Sequence, residues 1–567
     1  MSRSLSLAML IAVLAVALAI PVGALPLSTT EEEGSPDVAL DLSGTWRFST
    51  GDDPAWRDPA FDDSAWEVRQ VPDTSLNQGF DDYNGYAWFR LDFEIPAGAE
   101  GQNLIASMGF IDDADEVYLN GVLIGASGRV DSPRKSAWFE RRTYTVPAAA
   151  PVYGGTNTLA VRMYDMSGGG GWYKGPIGLF SKATLRAQVH GITAPPASDE
   201  QRQAVLDVLS QQDDALRRGD LDAYATTLSP AFFHDGQDVD RRVRELARQL
   251  DGADEVRFVD GEVEVLDDGD QLIVDTNRSL VIRTGEDVRV IRPTRQEFLR
   301  FDASTLQELG NRSRFFRDVL DSTVEGTSRE FNVYLPPSYT SEPDRRYPVV
   351  YLLHGINGGN REWEPREIDD VIDGIIAEHD LAETIVIMPH GESLWYRDNA
   401  TVPWRTMFIT ELVPLVDAEY RTIPDAGMRG LTGVSMGGNG AFSIGWDHPE
   451  LFRSIGSHIG SLTLGGNGQS AANYPAARVT TMAPEFLQQY DYYFDACPLD
   501  DFGFAAGVVA MQAQLTAKLT PHEGIIHPGT GRHNDDCWMP NLWRSFAMHS
   551  GSFRSHGLDQ ALLDQAR

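Results

Sequence analysis

The chain has 567 residues, a formal net charge of -36, 42% hydrophobic residues and 10% aromatic residues. That length exceeds what one hydrophobic core serves, so about three domains are expected at ~100–200 residues each, and the apolar content excludes a disordered chain. The acidic excess excludes nucleic acid and anionic membrane surfaces as partners, because both attract basic patches.

Residues 1–24 read as a secretory signal peptide. Arg3 precedes an uncharged apolar run, Leu5 to Ile20, which Pro21 breaks before Val22-Gly23-Ala24. Cleavage is expected near Ala24, giving a secreted or periplasmic protein; the alternative is an uncleaved anchor. The run is short for a membrane span, which needs ~20 residues, and no later stretch is long and apolar enough, so no span is expected in the mature chain. Residues 25–37 form a polar, acidic leader expected to be disordered.

From 38 to 190 the chain alternates in short runs, such as Trp88–Ile95 and Glu116–Leu119, separated by turn signals at Asn120-Gly121, Gly154-Gly155 and Gly168 to Gly171. This predicts a β-sandwich. Leu42 to Phe48, Phe61-Asp62-Asp63-Ser64-Ala65-Trp66, Gly85 to Arg90, Val117 to Gly121 and Gly155 to Val161 together resemble the sugar-binding jelly-roll domain at the N-terminus of family 2 glycoside hydrolases. The resemblance implies either glycan binding or a brace for a neighbouring catalytic domain. Most of its tryptophans are expected in the core.

Residues 191–199, with Pro195-Pro196, read as a linker. From 200 to 313 the period changes. Val205, Leu206, Val208, Leu209 and Leu216 recur at helical spacing, a second helix is expected near Asp240–Leu250, and strands are expected over Glu255–Leu266, Gln271–Arg283 and Val288–Phe301. Helices followed by a curved antiparallel sheet predict an α+β cone. Leu216-Arg217-Arg218-Gly219-Asp220-Leu221-Asp222-Ala223-Tyr224 resembles the first-helix turn of nuclear transport factor 2-like domains, which implies a spacer or dimerisation module here.

From 314 to 567 strands and helices alternate. Pro348 to Leu353 and Thr384 to Met388 are short apolar runs suited to buried parallel strands. The pattern predicts an α/β-hydrolase domain with a doubly wound, mostly parallel sheet, in a multidomain chain.

Gly433-Val434-Ser435-Met436-Gly437 fits G-x-S-x-G, which places a serine on a tight strand-to-helix turn. A serine hydroxyl needs a base. His533 is the candidate, ending the glycine-rich stretch Pro528 to Arg532 beyond the last strand, whereas His527 and His354 are expected to be structural. The acid belongs between nucleophile and base. Asp495 lies on a strand, and Asp500 and Asp501 lie just past it; Asp500 is preferred, with Asp501 next. Backbone N–H groups of Met436 and Ile356 are assigned to an oxyanion hole, with Gly355 as the fallback for Ile356. No cofactor is expected. The two cysteines, with no CxxC or matching histidine pair, exclude structural zinc. Cys497 lies three residues before Asp500 and Cys537 four after His533, so a disulfide is expected to join the acid loop to the base loop.

Asn332 to Tyr339, Leu353-His354-Gly355, Glu411 to Val416, Gly433 to Gly438 and Pro528 to His533 resemble the putative-esterase branch of the α/β hydrolases, which includes feruloyl and acetyl-xylan esterases, esterase D and the mycolyltransferases. Cys497-Pro498-Leu499-Asp500 departs from that pattern and bears on the acid assignment. The resemblance implies a serine carboxylesterase, and the jelly-roll-like module points it toward acetyl or feruloyl-type esters on carbohydrate, or small esters. The alternatives are an acyltransferase to a sugar hydroxyl and a non-catalytic glycan-binding protein. A glycosidase is disfavoured because no room remains for a barrel of about 250 residues. No sequence feature sets the oligomeric state.

Overall fold

The computed structural model describes residues 38–73, 83–129, 135–166, 171–291, 296–463, 471–529 and 531–565. The expected signal peptide and acidic leader lie outside these residues, as do Gly168 to Gly170 of one expected turn. Among the described residues no helix is long and apolar enough to cross a membrane.

Residues 38–181 form two antiparallel sheets. One has six strands, in the order Glu67–Val71, Gly44–Thr50, Gly85–Ile95, Gly155–Asp165, Ala114–Leu119, Val122–Ser127; the other has four, in the order Ala39–Asp41, Gly171–Ser181, Leu104–Asp112, Arg142–Thr145. Inward side chains of both sheets share one core that includes Trp46, Phe89, Met108, Val161, Trp172 and Leu179. Trp46 and Trp172 meet edge to face at 5.0 Å. The Phe61–Trp66 motif has a structural explanation. Asp63 receives the buried Arg90 at 2.7 Å, while Trp66 and Phe61 pack around Trp56. In the same module Arg142 meets Asp115 at 2.7 Å with neither side chain exposed.

Helix Lys182–His190 follows, capped by Ser181 and ended by Gly191 at φ 65°. Its Lys182 pairs with Asp275 at 2.9 Å and its Arg186 with Glu264 at 2.9 Å, both in the central module. The expected linker is not a loose tether: Asp267 N donates to Pro195 O at 2.8 Å and Ala197 N to Val265 O at 2.9 Å. Ser198 and Gln201 then form a reciprocal cap on helix Asp199–Arg217.

In the central module each of the three long expected strands is broken, and its halves enter different sheets. Glu255–Val259, Ser279–Thr284 and Asp287–Ile291 make one sheet; Glu264–Asp267, Gln271–Thr276, Glu297–Asp302 and Glu308–Gly310 make the other. The middle break falls beside Arg278. Arg278 turns its side chain inward, donating to Leu209 O at 3.0 Å and to Gln212 on helix Asp199–Arg217, with its guanidinium 3.9 Å from the Phe258 ring centre.

The C-terminal module has an eight-stranded sheet in the order Phe315–Ser322, Thr327–Tyr334, Ile385–Pro389, Val349–Leu353, Arg429–Val434, Ser454–His458, Asp491–Ala496, Glu523–Ile526. The first two pairings are antiparallel and the rest parallel. Val349–Leu353, a continuous apolar run, is buried at every position, as a strand in a covered parallel sheet should be, and so is Arg429–Val434. Arg241 of the central module reaches across to this one, 3.0 Å from Asp318 and 3.2 Å from Glu419.

Arg142→Leu should leave Asp115 charged and unpaired in the sandwich core, a loss of about 3–5 kcal/mol for a broken buried pair. Urea unfolding of the intact chain, followed by tryptophan fluorescence, should show its earliest transition shifted to lower denaturant. An unmoved transition would mean that Asp115 does not depend on Arg142.

Candidate active site

Strand Arg429–Val434 ends at Ser435, whose backbone has φ 55° and ψ -112°, and helix Met436–Asp447 begins at once. An L-residue at positive φ is strained, so its surroundings must over-determine it. Ser435 N donates to His458 O at 3.0 Å, and Ser435 O accepts from Gly438 N at 3.1 Å and Ser461 N at 3.2 Å. The glycines of the motif answer to close packing. A Cβ at Gly433 would lie 2.3 Å from the Gly437 carbonyl carbon, and one at Gly437 would lie 2.1 Å from Leu353 O.

His533 Nε2 is 2.9 Å from Ser435 Oγ, and His533 Nδ1 is 2.6 Å from Asp500 Oδ2. The other oxygen of Asp500 accepts from Phe502 N and Phe504 N, each at 3.0 Å, which fixes the carboxylate. Asp501 points elsewhere: it accepts from the backbone N–H of His533 at 3.1 Å and pairs with Arg532. The two adjacent carboxylates therefore divide the work, one on the ring and one on the loop that carries it. Phe502 and Phe504 stand edge-on to the imidazole at 4.7 and 5.2 Å. Cys497 and Cys537 are bonded, with their Cα atoms 5.9 Å apart. Gly531 fits against this bridge, where a Cβ would come 2.9 Å from Cys497 Sγ.

The loop after Val349–Leu353 passes beside the serine, with the Cβ position of Gly355 3.7 Å from Ser435 Cβ. Glu362 lies buried beneath this loop, where a Cβ at Gly358 would sit 1.8 Å from its Oε2. His354 is structural in its contacts: Nε2 accepts from Gly391 N at 2.7 Å, Nδ1 faces Gly355 O at 2.7 Å, and burial pushes its pKa down to about 3. A hydroxyl, an imidazole and a carboxylate in series, beside the N-terminus of a helix, can move a proton off the hydroxyl and stabilise charge developing next to it. Among the described residues no group of three or more metal-binding side chains is placed to hold a metal ion.

A second Ser–His–Asp series lies within the domain. Ser545 Oγ is 2.8 Å from His458 Nε2, and His458 Nδ1 is 2.9 Å from Asp495 Oδ2, with all three residues wholly buried. Ser545 sits inside helix Leu542–Ser555, with neither an elbow nor access to solvent, so this series serves packing. Asp495 also accepts from Tyr493 at 2.7 Å and pairs with His527 at 3.0 Å. The sequence marked Asp495 as a strand residue and His527 as structural, but did not join them to His458 and Ser545.

Residues 322–544 match the family model described as Putative esterase, and residues 51–169 match that described as Beta-galactosidase second all-beta domain. Esterase Rv1288 of Mycobacterium tuberculosis is 32% identical over 163 residues, 27% of this chain and 34% of that protein. An endo-1,4-beta-xylanase/feruloyl esterase of Xylanibacter ruminicola is 29% identical over 140 residues, 23% of this chain and 19% of that protein. The chain thus spans about a third or less of the length of these relatives. Among solved structures, a ferulic acid esterase aligns with TM-score 0.39 and 23% identity over 42% of this chain and 98% of that one. The S-formylglutathione hydrolase from Agrobacterium tumefaciens aligns with TM-score 0.35 and 16% identity over 42% and 96%.

Reducing the Cys497–Cys537 bridge should destabilise the domain by roughly 3–4 kcal/mol, the chain-entropy value for a loop of this length, and loosen the acid loop from the base loop. Melting curves with and without reductant would detect this; superimposable curves would refute it.

Asp495 offers a pH test. Burial pushes its carboxyl up, but the charge on His458 and the hydrogen bonds from His458, His527 and Tyr493 outweigh it and hold it at about 2, below the ordinary 3.8. A depressed carboxyl contributes stability above the ordinary value and loses it as pH falls through the folded value. Asp495→Asn should therefore lower Tm at neutral pH, and its gap to wild type should close as pH falls from about 4 toward 2. A gap constant over that window would mean that Asp495 is not the charged partner.

Proposed function

We infer that this chain, which carries a putative-esterase domain and a β-galactosidase-like all-β domain, is a serine hydrolase of carboxylic esters whose acyl-enzyme forms on Ser435. The reading rests on one observation above all. Ser435, His533 and Asp500 stand in hydrogen-bonded series on a strained elbow at the end of the parallel sheet.

In this mechanism His533 Nε2 takes the proton from Ser435 Oγ as the oxygen attacks the ester carbonyl carbon. The N–H groups of Met436 and Ile356 hold the resulting oxyanion, a contribution worth about 3–4 kcal/mol per donor. Asp500 fixes the tautomer of His533 and stabilises the imidazolium. Collapse breaks the bond to the alkoxy oxygen, which leaves with the proton from His533, and water repeats the sequence to release the acid. Exposed apolar side chains flank the centre, Ile356 on one loop and Leu499 and Phe502 on the other at 46%, 55% and 59%. They suit an apolar or aromatic acyl group.

The finer reading is a secreted esterase acting on acyl groups carried by carbohydrate, with a jelly-roll sandwich, a nuclear transport factor 2-like central module and the boundaries 38–190, 200–313 and 314–567. Its support is the all-β match beside the esterase match and the feruloyl esterase activity in the name of the Xylanibacter ruminicola relative.

Ser435→Ala and His533→Ala should each lower kcat on a nitrophenyl ester by on the order of 10⁶-fold, and Asp500→Asn by on the order of 10⁴-fold. Asp501→Asn should cost far less. Turnover retained in Ser435→Ala would sink the reading. Loss in Asp501→Asn with activity kept in Asp500→Asn would move the acid by one residue.

A further inference from the structure

Between the two catalytic loops lies a brace that the hydrolase chemistry does not use directly. Glu362, in the short helix Asn360–Trp363, is almost wholly buried beneath the loop that carries Ile356. Its carboxylate lies 4.0 Å from the Arg366 guanidinium. A Cβ at Gly358 would sit 1.8 Å from Glu362 Oε2, so the loop closes tightly on the carboxylate. Burial pushes that carboxyl up to about 7 against the pull of Arg366.

One helical turn on, Arg366 donates to Glu362 O at 2.6 Å and makes a two-pronged contact with Asp535, at 2.9 and 3.0 Å. Asp535 opens the short helix Asp535–Trp538, two residues past His533, and that helix carries Cys537. Arg366 thus spans from the oxyanion loop to the base loop. Its guanidinium lies among three indole rings, 5.3 Å from Trp138, 5.9 Å from Trp363 and 5.8 Å from Trp538.

Trp138 belongs to the all-β module, and it is not that module's only contact here. Lys174 donates to Pro365 O at 2.8 Å and meets Glu367 at 2.8 Å. Arg361 stacks over Phe139 at 4.5 Å and approaches Glu140 at 3.7 Å. Segment 361–367 is therefore gripped from outside by one module and serves the catalytic loops of another from inside.

We propose that Glu362 and Arg366 are positioning residues that set the oxyanion loop against the base loop, and that Trp138 and Lys174 of the all-β module complete this brace, so that two modules together assemble one catalytic centre. The inference rests on the ester-hydrolase reading above. The physical reason is that an oxyanion donor and a base held on separate loops act together only when their separation is fixed, and misplacement by about 1 Å costs up to ~10²-fold in rate.

The test is steady-state kinetics of the full chain on a nitrophenyl ester. Glu362→Ala should lower kcat by roughly 10- to 100-fold with KM little changed, and Glu362→Gln, which still fills the space under the loop, should recover most of it. Trp138→Ala and Lys174→Ala, on the other module, should lower kcat in the same direction. Trp138→Ala added to Glu362→Ala should cost less than it does alone, because both act through one brace. Melting and near-ultraviolet circular dichroism verify that each variant is folded; if Glu362→Ala does not fold, the two variants of the all-β module and Glu362→Gln decide. Folded variants with wild-type kcat beside an inactive Ser435→Ala overturn this inference alone. An active Ser435→Ala overturns the hydrolase reading beneath it.

Discussion

Ser435 is held in a backbone conformation that L-residues avoid, at a cost of about 1–3 kcal/mol, and much of the C-terminal module is arranged to keep it there. The strand before it is buried throughout and paired on both sides, so it cannot slide. The helix after it packs so closely that Gly433 meets Gly437, and Gly437 meets Leu353. A hydrogen bond from Ser435 N to His458 O ties the elbow to the next strand. That strand's His458 is in turn fixed by Asp495 and Ser545. The buried polar cluster thus supports the elbow from below, while His533 and Asp500 approach from above. Two Ser–His–Asp series in one domain differ in setting: one is at a strained strand-to-helix turn and the other inside packed helix and sheet.

The elbow was legible because its requirements are local. Glycines at fixed offsets between an apolar strand and a helix describe a single turn. His533 was legible by position, as a histidine beyond the last strand. Asp500 against Asp501 was a different matter, since neighbouring carboxylates on one loop have the same local signal. Only the three-dimensional path, with Phe502 N and Phe504 N on one and Arg532 on the other, separates them. The brace was not legible at all. Glutamate and arginine ordinarily read as solvated surface, and nothing in Asn360-Arg361-Glu362-Trp363 announces that Glu362 turns under the preceding glycines. In the central module, alternation predicted where β structure lies but not where strands break; beside the middle break, Arg278 meets Gln212 and Leu209 on a helix distant in sequence.

Arginine carries the long-range polar contacts throughout. Arg90 and Arg142 knit the sandwich, Arg278 the central module, Arg241 the junction of the central and C-terminal modules, and Arg366 the catalytic loops. Lysine is confined to Lys135, Lys174, Lys182 and Lys518, and Lys174 and Lys182 stand at module junctions. A planar guanidinium can satisfy several acceptors at once and stack on a ring, which suits buried hubs better than a compact ammonium. In a chain this acidic, such hubs also place positive charge where carboxylates would otherwise repel one another.

The bridge between Cys497 and Cys537 encloses the acid, the base, helix Phe504–Ala517 and strand Glu523–Ile526 in one covalent ring. A peptide bond cut inside a ring does not divide the molecule. If a protease nicked the turn between that helix and strand, Asp500 and His533 would remain on fragments joined through sulfur. Both fragments would still be anchored by the strands on which they fold, Asp491–Ala496 and Glu523–Ile526. The hydrogen-bonded pair of Asp500 and His533 is thereby insured against a single clip, whereas Ser435, which lies outside the ring, relies on its own packing alone.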